Sequence, residues 1–133
     1  MTTETEGTQI ESAMNIKDQS SETPLFSKSE RIRELNDFVR HNFIGGVVLV
    51  TAGVQALDDK TKAELLAAVR AFNEFGPDND PHHEHDFGSL EIDGETYFFK
   101  FDYFDLAMRF HSPDPADPNL TRRALTIMRA DEY

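Results

Sequence analysis

Phe87-Gly88-Ser89-Leu90-Glu91-Ile92-Asp93-Gly94-Glu95-Thr96-Tyr97-Phe98-Phe99-Lys100-Phe101-Asp102 is the stretch whose reading decides the fold. Asp93-Gly94 stands between two strand-like runs, where a two-residue type I′ turn needs residues that accept positive φ. With Ile92 opposite Glu95, Leu90 faces Tyr97, Gly88 faces Phe99 and Asp86 faces Phe101. The alternate rows pair Glu91 with Thr96, Ser89 with Phe98, Phe87 with Lys100 and His85 with Asp102. One face then carries Tyr97, Phe99, Phe101 and Tyr103 and is expected to line the core. Gly88 lies under Phe99, an aromatic ring covering a glycine.

Outward from the hairpin, Ser27 to Asn42 reads as a helix, with Ile32, Leu35, Val39 and Phe43 at helical spacing and Ser27 or Ser29 as cap. Val47-Val48-Leu49-Val50 has the pattern of a strand buried on both faces. Thr51-Ala52-Gly53 turns the chain. A second helix is expected from about Asp59 to Phe75, capped by Asp58, striped by Leu65, Val69, Phe72 and Phe75, and stopped by Gly76-Pro77. A further strand is expected around Leu106–His111. In the last segment, Leu120, Ala124, Ile127 and Met128 fit a helix face, while Ala124 to Met128 also fit a strand buried on both sides; the strand, about Arg123–Arg129, is the expectation taken. The order implies an α+β fold, two helices packed on one face of a mostly antiparallel sheet of about four to five strands.

The chain has 133 residues, 38% hydrophobic and 29% charged, which suits one soluble domain. Residues 1–25 carry net −4 and few large apolar groups, so an acidic disordered tail is expected there, with the domain spanning 26–133. Residues 26–76 are neutral and 119–133 sum to +1, so the domain's excess comes from 77–118, where eleven acids face only Lys100 and Arg109. A net charge of −12 argues against direct nucleic-acid binding, which needs Lys and Arg to replace counterions. The absence of cysteine excludes disulfides, thiolate metal sites and a Cys nucleophile. No apolar run is long enough to cross a membrane, and the N-terminus has no signal-like pattern, so a cytoplasmic protein is expected.

Candidate chemistry is concentrated in Asp78-Asn79-Asp80-Pro81-His82-His83-Glu84-His85-Asp86. Imidazole and carboxylate groups are metal ligands, but adjacent His82 and His83 do not converge easily on one ion. The calcium-loop pattern fails too, with His83 where Gly belongs and Ser89 where Glu belongs. No metal and no cofactor is expected. The hairpin register makes His85 and Asp102 cross-strand neighbours, and an Asp can orient a His for acid–base work. A cross-strand polar pair without catalytic role is the plainer reading, and no nucleophile accompanies it. Neither Walker nor dinucleotide glycine patterns occur. Arg122-Arg123 reads as an anchor for the acidic loop Ser112–Pro118.

Thr51-Ala52-Gly53-Val54, Pro77-Asp78-Asn79-Asp80-Pro81, Glu84-His85-Asp86-Phe87-Gly88, Ser112 to Pro118 and Thr121 to Met128 together resemble a bacterial domain of unknown function. Its small proteins are common in alphaproteobacterial genomes and on plasmids and other mobile elements. The resemblance spans about Arg31–Tyr133 and implies a small stand-alone cytoplasmic protein, with no assigned activity. The functional expectation is a non-catalytic binding protein. Its acids Asp78, Asp80, Glu84, Asp86, Asp105, Asp114 and Asp117 would dock on a basic surface of a protein partner, one that handles DNA or RNA and that the chain inhibits by imitating nucleic acid. The alternative is a small hydrolase or metal-assisted enzyme centred on Glu84, His85, Asp86 and Asp102. No membrane contact is expected in either case.

Overall fold

A computed structural model describes residues 27–133. The acidic tail expected over 1–25 lies outside the described residues.

The hairpin forms in the expected register. Strand β2 (Phe87–Ile92) pairs antiparallel with β3 (Glu95–Phe104), Leu90 opposite Tyr97 and Gly88 opposite Phe99. Asp93 and Gly94 take φ of 52° and 82°, the two positive values a type I′ turn requires. A Cβ on Gly88 would land on the Phe99 ring and crowd Phe72, so only glycine fits.

Helix α1 (Lys28–Asn42) starts in a full capping box, Ser27 N–H to Glu30 Oε1 at 2.8 Å and Glu30 N–H to Ser27 Oγ at 3.1 Å. It ends at Phe43, held in the left-handed region, ahead of Gly45-Gly46. Strand β1 (Val47–Val50) leads into a single helical turn, α2 (Ala52–Gln55), and then α3 (Asp59–Ala71), capped by Asp58 through the Thr61 N–H. α3 stops short of the expected Phe75. Phe72 turns extended, and the chain runs on with Phe72 and Phe75 still packed against the core. Glycine was therefore not the stop signal; the pull of the two rings toward Phe99 accompanies the earlier exit.

Strand β4 (Arg122–Arg129) completes an α+β fold with a four-stranded mixed sheet, ordered β1-β4-β3-β2. β4 pairs antiparallel with β3 and parallel with β1. This corrects the reading of Val47–Val50: it is an edge strand with Leu49 exposed, and the doubly buried strand is β4, where Ala124, Leu125, Ile127 and Met128 are all sealed. An all-apolar run of four residues cannot by itself distinguish an edge from a centre. The core joins Val39, Val54, Leu65 and Val69 from the helices to Tyr97, Phe99 and Phe101 of β3 and to Leu125 and Ile127 of β4. The strand expected at Leu106–His111 is absent; 105–110 is a closed turn, and only His111 bridges back to Phe104. Asp105 takes the backbone N–H groups of Arg109 and Phe110, which bends the segment out of extended form. A short 3₁₀ turn, Ala130–Glu132, ends the chain, and its Glu132 carboxylate receives Thr51 Oγ1 and the Gly53 N–H.

Candidate functional site

The segment 76–86 folds on itself before it reaches the sheet. Asn79 Oδ1 accepts the Gly76 N–H at 2.7 Å, and the Asp80 N–H donates to Gly76 O at 2.8 Å. His83 and His85 take φ of 60° and 56°. The left-handed turn at His85 removes it from the strand ladder, whose last bond on this side is Phe101 N–H to Asp86 O. The expected cross-strand pair of His85 with Asp102 therefore does not form. Asp102 is instead paired with Lys100, Oδ2 to Nζ at 2.6 Å.

The His85 ring turns toward the helices. Nδ1 lies 2.9 Å from Asp37 Oδ1 and 3.2 Å from Oδ2, so Nδ1 carries the hydrogen that the carboxylate accepts. Nε2 faces Asp80 Oδ2 at 3.6 Å, and Asp80 Oδ1 accepts the backbone N–H of His85 itself. Phe75 stacks flat on the imidazole, centroids 3.8 Å apart and planes 5° from parallel. Behind this latch Arg40, its side chain 1% exposed, donates to Val69 O, to Phe72 O and to Asp37 Oδ1. It also lies over the faces of Phe75 and Phe99. The guanidinium satisfies the carbonyls left open at the end of α3 and holds the carboxylate that receives His85.

A second polar knot adjoins it. Asn36, fully buried, donates to Glu84 O and Tyr103 Oη and accepts from Arg123 Nε. Tyr103 Oη donates to Glu84 Oε1 at 3.1 Å, and Arg123 lies over the Tyr103 ring while donating to Pro115 O. Arg123 thus anchors the Ser112–Pro118 loop, as its place beside Arg122 suggested. Burial pushes the Glu84 carboxyl above its ordinary range against the Tyr103 hydrogen bond, and pushes Asp86 up likewise, with Asp80 nearby. Burial also drives the Tyr103 hydroxyl far upward and lowers Arg123.

The seven acids expected to form one docking face are therefore divided. Asp80 is buried on His85, and Glu84 is tied to Tyr103. Asp78 and Asp86 border a shallow cleft together with His82, Lys100, Asp102 and Tyr133. Asp105, Asp114 and Asp117 stand in the loops after β3. Asn36, Asp37, Arg40, Phe75 and Tyr103 are the participants that sequence reasoning missed. The signal for two of them was present: Asn36 and Arg40 fall on the same helix stripe as Ile32, Val39 and Phe43, polar groups where apolar ones belong. Among the described residues, no group of three or more His, Asp and Glu side chains is placed to hold a metal ion. No helix among them is long and apolar enough to cross a membrane.

Fold and latch define a small acidic α+β protein that braces an acid-rich loop against two helices. Residues 50–132, more than half of the chain, match the family model described as Protein of unknown function (DUF3768), and the protein belongs to that family. The match begins at the end of β1, so the α1 residues Asn36, Asp37 and Arg40 that brace the loop lie ahead of it. No curated protein and no solved structure matches the chain.

Proposed function

We propose that this protein is a non-catalytic acidic binding protein. It docks the 77–118 side of the domain on a basic protein surface that otherwise holds DNA or RNA, and it acts in the cytoplasm of a bacterium carrying it on a mobile element. The observation that carries the reading is how the outer carboxylates are held. Asp105, Asp114 and Asp117 each commit Oδ1 to a backbone N–H of their own loop; Asp114 also faces Lys28 Nζ at 3.4 Å, while no described residue donates to the Oδ2 of Asp105 or Asp117. A carboxylate oriented by one oxygen presents the other without the entropy loss of ordering a free side chain, and such preorganisation favours binding. The competing hydrolase reading requires Glu84, His85, Asp86 and Asp102 to converge. It is disfavoured because both ring nitrogens of His85 are turned toward Asp37 and Asp80, while Asp102 is engaged by Lys100.

The test is competition. Basic DNA- or RNA-handling proteins retained at low salt on the immobilised full chain are loaded with labelled duplex DNA or RNA and titrated with the free chain. The expected result is release of the nucleic acid, with affinity falling steeply as salt rises. Simultaneous binding of chain and nucleic acid, or affinity indifferent to salt, overturns the reading. The triple variant Asp105→Asn, Asp114→Asn, Asp117→Asn keeps the capping oxygens and removes three charges, so it is expected to bind at least about tenfold more weakly.

A further inference from the structure

Strand β2 stands at the margin of the sheet, paired with β3 on one side only. The two-residue turn closes on Ile92 and Glu95, and at the other end Phe101 N–H donates to Asp86 O at 2.9 Å. Antiparallel strands alternate hydrogen-bonded and non-hydrogen-bonded pairs, so Gly88, Leu90 and Ile92 turn their N–H and C=O groups toward β3. Phe87, Ser89 and Glu91 turn theirs outward, and no other described residue hydrogen-bonds them. Free edges are ordinarily blunted by proline, by a bulge or by a covering segment. β2 has no proline, its register to β3 is unbroken, and Ser89 and Glu91 are exposed. Beside the edge, where α3 ends and Phe72 turns extended, lies a cleft of about 330 Å³. Ala68, Ala71, Phe72 and Leu90 supply its apolar wall, and Glu74 and Glu91 are the charged residues in its lining.

The chemistry of the edge selects its occupant. A row of outward main-chain donors and acceptors is satisfied by another extended main chain, with alternate side chains supplying specificity. On the helix side those side chains would meet short Ala68 and Ala71 and the half-buried Leu90, which leave the cleft open. Its two carboxylates, Glu74 and Glu91, have no ion-pair partner among the described residues, and neither lysine nor arginine lines the cleft. A second copy pairing on the same edge would bring two Glu74 and two Glu91 carboxylates into one short junction without a cation from either lining. We infer that β2 accepts an extended segment of a different protein as an added strand, with apolar side chains seated at Ala68, Ala71 and Leu90 and lysine or arginine side chains paired with Glu74 and Glu91. This goes beyond the docking reading above and does not rest on it, since the added strand uses none of Asp105, Asp114 and Asp117.

The experiment pans a phage-displayed random peptide library against the full-length protein at low salt. Enriched peptides are then titrated against wild type, Ser89→Pro and the double variant Glu74→Lys, Glu91→Lys, with folding of each checked by circular dichroism. Ser89→Pro removes one outward donor and leaves the hydrogen bonds to β3 in place, as proline on an edge strand does. The expected result is peptides that alternate apolar residues with lysines or arginines, weakened at least about tenfold by each variant. Amide hydrogen exchange on the wild type reads the added strand without any substitution. In the free protein the Ser89 and Glu91 amides are expected to exchange fast on either side of a slow Leu90, and the bound peptide is expected to slow both. Failure to enrich any peptide, or a bound peptide that leaves Ser89 and Glu91 exchanging as before, overturns the proposal. Peptides that slow both amides but ignore the charge reversal overturn the basic character of the segment. A dimer in sedimentation that Ser89→Pro dissolves assigns the edge to a second copy and overturns the proposal.

Discussion

Two loops of this protein are rich in carboxylates and use them in opposite ways. In 76–86 three of the four acids turn inward, Asp78 alone standing exposed: Asp80 supports His85, Glu84 receives Tyr103, and burial holds the Glu84 and Asp86 carboxyls above their ordinary range. In 105–121 they cap the backbone of their own turns with one oxygen, with Lys28 beside Asp114, and no described donor bonds the second oxygen. The lesson is that acid content along a chain is not acid surface. Whether a carboxylate is an internal acceptor or an external one depends on what the fold sets beside it. For 76–86 that is the Asn36-Asp37-Arg40 face of α1. For 105–121 it is the backbone of their own loops and, at Asp114, the Lys28 ammonium.

The contrast breaks most visibly at Arg40. Arg40→Met is expected to destabilise the protein by about 3 kcal/mol or more in chemical denaturation, because it strands buried carbonyls at the end of α3 and the Asp37 carboxylate together. His85→Ala, which loses the Phe75 stack and the Asp37 hydrogen bond, is expected to cost about 2 kcal/mol by the same measurement. If instead it costs nothing, the latch does not brace the loop. Phe110→Ser in the loop after β3 is expected to change stability by no more than about 0.5 kcal/mol, because the ring is exposed and leaves no cavity. An unfolding cost comparable to that of His85→Ala would erase the distinction between the loops.

The smallest effect is a pH dependence. A carboxyl whose folded value is raised ionises less readily in the native state, so its contribution to stability falls as pH rises from the unfolded value through the folded one. Below that window the penalty is absent. Asp86→Asn is therefore expected to be stabilising above the ordinary carboxylate range and neutral below it. Melting temperatures of wild type and variant, followed across pH, give the difference. Asp114→Asn, a cap in the outward loop, is expected to show no such gain.

Several elements were legible because their cause is local. The hairpin register follows from Asp93-Gly94 and the period of two, and the Ser27 and Asp58 caps follow from side chains that reach backbone three residues on. The Leu106–His111 strand was misread because the Asp105 side chain outcompetes extended backbone there, and alternation alone does not register that competition. The His85–Asp102 pair was misread for a similar reason: one left-handed residue ends the ladder a step early.

Sequence alone therefore determined the α+β class, the two capped helices, the hairpin with its aromatic core face, and the acid excess of 77–118, since each depends on residues close together in the chain. Tertiary structure decided that Val47–Val50 is an edge strand beside β4, that Asp37, held by Arg40, receives His85 from 48 residues away, and that only part of the carboxylates face outward. Those outcomes depend on which distant surfaces meet, and burial and hydrogen-bond partnership exist only once they have met.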